Sequence, residues 1–320
     1  MIKTKTYFFI FVIVFALSLS LNFYYLFFHN HKSYISGFSF LDPTISNLEV
    51  EDYLEAKNEY TVSYKPLKFE IQEIISKSEG EFGVYFEDLE FHSWIGINET
   101  NLFTPASLMK VTTVSAILKE VEEGELSLDK EVFLSQDYVD NKFGELYKYQ
   151  GSTISIKKLI EIALIYSDNT AVRALHPFIS YDRWIEARLN MGLPLVSIEE
   201  SEKGIELTPK QFSNVFRSLY YSGYLSRSSS NWILELLSES EFKKGIPAGV
   251  PDGVTVSHKI GVWINEGETI GSVHDCGIVY AKKPYILCIM SEGVTSKEGN
   301  EVIEEISRTV YNYVSNQSDL

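Results

Sequence analysis

Apolar positions recur at helical spacing from Leu67 onward. With Ile71, Ile74 and Ile75 they make one stripe along LKFEIQEIISKS, which predicts a helix. FGVYFEDLEFHSWIGINET then alternates around turn-like Glu-Asp and Asn-Glu steps, the pattern of two antiparallel strands. LMKVTTVSAILKEV places apolar residues at 108, 111, 114, 118 and 121 and stops at Gly124, which predicts a buried helix. The chain reads as mainly helical from Ser107 to about Leu237. GVTVSHKIGVWI, GSVHDCGIVYA and PYILCIMSE then return to strand character. In NEVIEEISRTVYNYV, Val302, Ile306 and Val310 stand four apart, a closing helix. This order predicts an α+β fold: a mostly antiparallel sheet flanked by helices plus a helical region.

The amino-terminal pattern differs. YFFIFVIVFALSLSLNFYYLFF, residues 7–28, runs for 22 residues without a charge. As a helix it would span about 33 Å, enough to cross a bilayer core. Lys3 and Lys5 precede it, so the positive-inside rule puts the amino terminus in the cytoplasm and the remainder outside. The competing reading is a cleaved signal peptide. The run is longer than a usual signal core, and a cut near Ser18 or Ser20 would leave FYYLFF on the product. An uncleaved, single-pass plasma-membrane anchor over residues 1–28 is therefore expected. A stalk over 29–65 follows, with a short helix near EDYLEAK, and then an extracytoplasmic domain over 66–320.

Charge and cysteine usage narrow the partners. Lys and Arg number 28 against 44 Asp and Glu, a net charge of −16, which argues against nucleic acid and anionic lipid surfaces. The only cysteines are Cys276 and Cys288, and no histidine stands in an H-E-x-x-H pattern, so neither a metal nor a cofactor is expected. The cysteines stand symmetrically about Lys282, so a tight hairpin would pair them. A disulfide and two buried free thiols fit equally.

Candidate chemistry starts at FTPASLMKVTT. Ser-x-x-Lys occurs four times, at Ser107/Lys110, Ser127/Lys130, Ser155/Lys158 and Ser240/Lys243, so the spacing alone singles out none. Ser107 heads a buried helix, where Lys110 shares its face. A lysine with a lowered pKa can activate a serine; an N-cap serine with a snorkelling lysine is the plainer reading. Ser167-Asp168-Asn169 occurs once, 60 residues further on, after the apolar run LIEIALIY. Taken alone it could be a helix cap. Lys259-Ile260-Gly261 lies inside a convincing strand, whereas Lys243-Lys244-Gly245 lies in a polar segment.

In this order the three motifs resemble the serine penicillin-recognising enzymes, in particular class A β-lactamases and their penicillin-binding relatives. The likeness runs from about residue 80 to 315 and includes a helix start at Thr208-Pro209. It implies that Ser107 attacks a carbonyl to form an acyl-enzyme, with Lys110 as the base. Ser167 would pass a proton to the leaving nitrogen, tuned by Lys259, and Asn169 would hold the substrate's side-chain amide. Gly261 would complete the K-x-G element. The backbone N–H groups of Ser107 and Val262 would hold the oxyanion, each such donor lowering the barrier by about 3–4 kcal/mol. Asp168 is expected to cap a helix. The implied substrate is a small molecule or peptide: a β-lactam or a cell-wall peptide.

Two departures matter. Ile260 stands where the family has a substrate-binding threonine or serine, leaving His258 and Lys259 as sources of charge. The E-x-x-L-N loop that supplies a deacylating glutamate is missing from MGLPLVSIEESEKGIELTP. Glu199, Glu200, Glu202 and Glu206 read there as a solvated acidic loop. Efficient β-lactamase turnover is not expected. A catalytically degenerate binder or sensor of cell-wall fragments is the alternative function.

Overall fold

The computed structural model describes residues 39–41, 63–195, 204–265 and 267–317, all inside one compact unit that spans residues 38–320. The apolar run at 7–28, the EDYLEAK segment, and Glu199, Glu200 and Glu202 lie outside the described residues. Among the described residues no helix is long and apolar enough to cross a membrane.

The first helix, α1 (Lys65–Ser76), has Pro66 in its first turn and buries Leu67 and Ile71. The expected hairpin follows as β1 (Glu81–Asp88) and β2 (Trp94–Ile97), with Val84 opposite Ile97. A 3₁₀ turn, Ala106–Met109, leads into α2 (Lys110–Glu122). The middle of the chain is mainly helical, as its periodicity predicts, yet it holds a small hairpin of β3 (Glu131–Phe133) and β4 (Thr153–Ser155). Three-residue strands are too short to show alternation. Helices α3 (Ile156–Ile165), α4 (Asn169–Leu175) and α5 (Tyr181–Asn190) come next, then α6 (Pro209–Tyr220) and α7 (Arg227–Ser238). Ser155, Asp168, Ser180, Thr208 and Ser226 each cap the helix that follows them. At Thr208 the cap is a full capping box with Gln211, and Pro209 opens the helix.

Strands β5 (Thr255–Trp263), β6 (Ile270–Tyr280) and β7 (Tyr285–Thr295) precede the closing helix α8 (Ser296–Gln317). The sheet runs β2-β1-β7-β6-β5 with every neighbouring pair antiparallel. One face packs on α1 and α8 through Phe82, Leu287, Ile289, Ile303 and Ile306. The other meets the helical layer through Ile278, Ile286, Met290, Phe212 and Phe216. Because both faces are covered, β6 and β7 are buried along nearly their whole length. That is why their sequences read as apolar runs and not as alternation. Within the stretch read as a stalk, Phe40 and Leu41 dock on this unit. Leu41 joins the core facing the helical layer, and the Phe40 backbone bonds to Asn231 and Tyr280.

Cys276 and Cys288 face one another across β6 and β7 and form a disulfide, which decides between the two readings. Both are fully buried on the helical-layer face. Closing a loop of this size restricts the unfolded chain by about 3 kcal/mol. Guanidinium unfolding of Cys276→Ala/Cys288→Ala should show at least that loss. A double variant of unchanged stability would mean that the bond adds nothing.

Candidate active site

Ser107 sits in the 3₁₀ turn and is half-buried. The residue before it, Ala106, takes a φ of 49°. For a residue with a Cβ this left-handed backbone costs on the order of 1–3 kcal/mol, so the surroundings must impose it. Leu108 N donates to the Pro105 carbonyl at 3.1 Å. Strand β5 runs against the turn at Gly261, where a Cβ would come within 2.8 Å of Pro105 O. Glycine permits this close approach of strand and turn.

A cavity of about 540 Å³ opens over the turn. Ser107, Lys110 and Thr113 line it from the turn and α2, Asn169 and Val172 from α4, and Val262 and Trp263 from the edge strand β5. Lys142 and Phe143 close another wall. Lys110 is only 6% exposed. Its ammonium donates to the Ser167 carbonyl, to Asn169 Oδ1 at 2.7 Å and, at 3.4 Å, to Ser167 Oγ. Lys259 Nζ donates to the same Oγ at 2.6 Å and to Ile260 O at 3.2 Å. Two donors on one hydroxyl oxygen leave the Ser167 proton free to be given elsewhere.

Burial pushes the Lys110 ammonium down to about 8, with Asp168 and Asp140 limiting the fall. Burial, reinforced by the positive charge of Lys110, pushes Lys259 well below the usual lysine range. A useful fraction of Lys110 is therefore a neutral amine near pH 7, the form that can take a proton. The helix spacing puts Lys110 on the same face as Ser107, within reach of its hydroxyl. Its three bonds run instead to Ser167 and Asn169, because the Ser167 corner offers acceptors across the seam.

Asp168 caps α4 as expected: Oδ1 accepts from Ala171 N at 2.9 Å and Oδ2 from Leu146 N at 2.8 Å. Gly144 passes beside that carboxylate with φ 90°, where a side chain would collide with it. Sequence reasoning missed Asp140. Its carboxylate accepts from Asn169 Nδ2 at 3.2 Å, from Lys142 N at 2.9 Å and from Arg173 at 2.7 Å. A carboxylate only accepts, so it turns the Asn169 amide nitrogen toward itself and leaves Oδ1 to Lys110.

Of the expected substrate-binding residues, Asn169 and Val262 line the cavity, whereas Ile260 and Gly261 do not. His258 gives the cleft no charge. It is buried beside Asp275, Nδ1 to Oδ1 2.7 Å, one position along β5 from Lys259 and hence on the opposite face. Glu206 is exposed and is absent from the cleft lining. Among the described residues that line the cavity there is no carboxylate.

A family model described as the beta-lactamase enzyme family matches residues 66–314. The chain belongs to that family. Beta-lactamase VEB-1 of Pseudomonas aeruginosa is 22% identical over 273 residues, covering 78% of this chain and 91% of the relative. The extended-spectrum beta-lactamase PER-1 of the same organism is 24% identical over 274 residues, covering 77% and 87%. Among solved structures, PBP-A aligns with a TM-score of 0.70 at 23% identity, covering 79% of this chain and 97% of that one. TLA-3 extended-spectrum beta-lactamase aligns equally well, at 22% identity over 79% and 99%. These structures share the beta-lactamase fold with the chain.

The buried lysine makes stability depend on pH. Between the folded value near 8 and the ordinary lysine value, the unfolded chain binds more protons, so stability rises with pH. From pH 8 to 10 the gain from Lys110 should be about 2 kcal/mol. Denaturant unfolding of the wild type and of Lys110→Met across this range checks it: the stability of the wild type relative to the variant should rise by about 2 kcal/mol from pH 8 to 10. A constant difference would refute the depressed value.

Proposed function

We propose that this protein is a membrane-anchored, extracytoplasmic serine acyl-transfer hydrolase. It takes β-lactams or peptidoglycan-type peptides onto Ser107 and releases the acyl group slowly. The observation that carries the reading is that Ser107, Lys110 and Asn169 line one cleft, with Ser167 buried directly behind it and bonded to both Lys110 and Lys259. Lys110, as the free amine, accepts the Ser107 proton while Oγ bonds to the substrate carbonyl carbon. The carbonyl oxygen takes the charge, held by backbone N–H groups of Ser107 and Val262. As the tetrahedral adduct collapses, the carbon–nitrogen bond breaks. Ser167 gives its proton to the leaving nitrogen and recovers one from Lys110. Asn169, set by Asp140, meets the substrate's side-chain amide.

Slow release follows from what faces the acyl group. The segment after Gly192 has no E-x-x-L-N, and the titratable groups lining the described cleft are Lys110, Lys142 and His176. The neighbour PBP-A has been solved, as a mutant, as an acyl-enzyme complex with penicillin G, which supports a persistent adduct here. The uncharged run at 7–28 supports an anchor. The Cys276–Cys288 disulfide supports an oxidising, extracytoplasmic setting. Ile260 favours the second reading, a binder or sensor that keeps the fold without turnover.

Intact-mass spectrometry of the protein mixed with penicillin G tests the proposal. A wild-type adduct lasting minutes or longer, absent from Ser107→Ala, is expected. Rapid consumption of penicillin without an adduct would overturn slow release, and neither adduct nor consumption would favour the binder. The acylation rate should climb about tenfold per pH unit and level off above pH 8, since only the neutral Lys110 amine accepts the proton. Lys110→Met should lower it on the order of 10³-fold and remove that climb. A profile that is the same in both proteins would take the base role away from Lys110.

A further inference from the structure

The segment that delivers Ser107 has little regular structure of its own. Phe103 makes an isolated bridge to Leu207, and from there to the 3₁₀ turn the backbone must enter the left-handed conformation at Ala106. One buried side chain reaches this segment from the sheet. His274, in the middle of β6, is 0% exposed. Its Nε2 lies 2.8 Å from the Thr104 carbonyl, and its Nδ1 lies 3.1 Å from Ser291 N on β7. A backbone N–H can only donate and a carbonyl can only accept. Nδ1 is therefore the acceptor, and Nε2 carries the proton. Both ring nitrogens are used, and only the neutral ring in this one tautomer satisfies both partners. Burial pushes its pKa down to about 4, so it keeps that state at neutral pH.

The neighbours leave this ring one place to stand. His274 pairs in register with Gly261, and a Cβ at Gly261 would come within 3.1 Å of the ring Cδ2 and 2.8 Å of Pro105 O. The glycine of the K-x-G element thus makes room for the imidazole and the nucleophile turn together. The Phe103 ring meets the imidazole edge-on at 6.3 Å.

We propose that His274 is a positioning residue for Ser107: it ties Thr104 O to Ser291 N through one neutral imidazole and so fixes the turn that aims the nucleophile. It lines no part of the cleft and is given no contact with substrate. The inference rests on the reading of Ser107 as the nucleophile.

Two variants separate bonding from bulk. His274→Phe keeps a ring and loses both bonds. His274→Gln can donate to Thr104 O and accept from Ser291 N. With penicillin G, His274→Phe should lower the saturating acylation rate about 100-fold, the scale of a nucleophile misplaced by about 1 Å, with KM little changed. His274→Gln should recover most of that loss. Hydrogen exchange of backbone amides in residues 104–110 should speed up about tenfold in His274→Phe, while α6 and α8 stay unchanged. Wild-type acylation and exchange in His274→Phe would overturn the proposal. Equal losses in both variants, or exchange raised throughout the unit, would also overturn it in favour of a general packing role. Should wild-type Ser107 take no adduct, the functional reading fails by itself, and the exchange measurement still decides whether His274 holds the turn.

Discussion

Two lysine amines share one fully buried serine hydroxyl, and the architecture around the cleft bears on that constraint. Lys110 and Lys259 both reach Ser167 Oγ, and all three residues are almost wholly buried. Two adjacent ammoniums in such a place repel one another and lose hydration, so their positive charge is suppressed by proton release. The arrangement persists because the groups arrive on elements fixed by other interactions. Lys259 rides on a strand that the sheet holds, Lys110 heads a helix buried along nine consecutive residues, and Ser167 precedes a capped helix. Asp168 and Asp140 sit close enough to keep the Lys110 value from falling further. The same carboxylates hold α4 and the Asn169 amide. What limits the fall in the Lys110 value is thus also what positions its neighbours.

Much of this was legible in the sequence, for identifiable reasons. Helices with long apolar stripes, such as α1, α2 and α8, signalled themselves because one face of each meets a core. Strands β5 to β7 were recognisable as apolar, β-branched runs between turns. The β3–β4 hairpin was hidden because three residues carry no period. At the site, Ser107, Lys110, Ser167, Asn169 and Lys259 could be named because three short motifs occur in a set order. Asp140 and His274 carry no such mark. Asp140 acts on Asn169 from 29 residues away, and His274 reaches Thr104 across 170. Only the assembled fold brings side chains to partners at such separation. An aspartate in a loop and a histidine in a strand look ordinary until the partner is known.

Strand β5 shows how one element can carry chemistry and scaffold without mixing them. Side chains alternate across a strand. Lys259 and Gly261 therefore serve the face toward Ser167 and the nucleophile turn. Val256, His258 and Ile260 fall on the face toward α8, where Val256 joins the core and His258 bonds Asp275. Asp275 also accepts from Ile246 N, which pins the segment before β5 to β6. In register, Ile260 stands opposite Asp275 on this scaffold face. An isoleucine there suits a β-branched, half-buried strand position, so the fold loses nothing by it. The family's hydroxyl can be absent at 260 while Lys259 and Gly261, one position to either side, keep their contacts. The residue at 260 and the contacts of Lys259 and Gly261 are thus structurally independent in this chain.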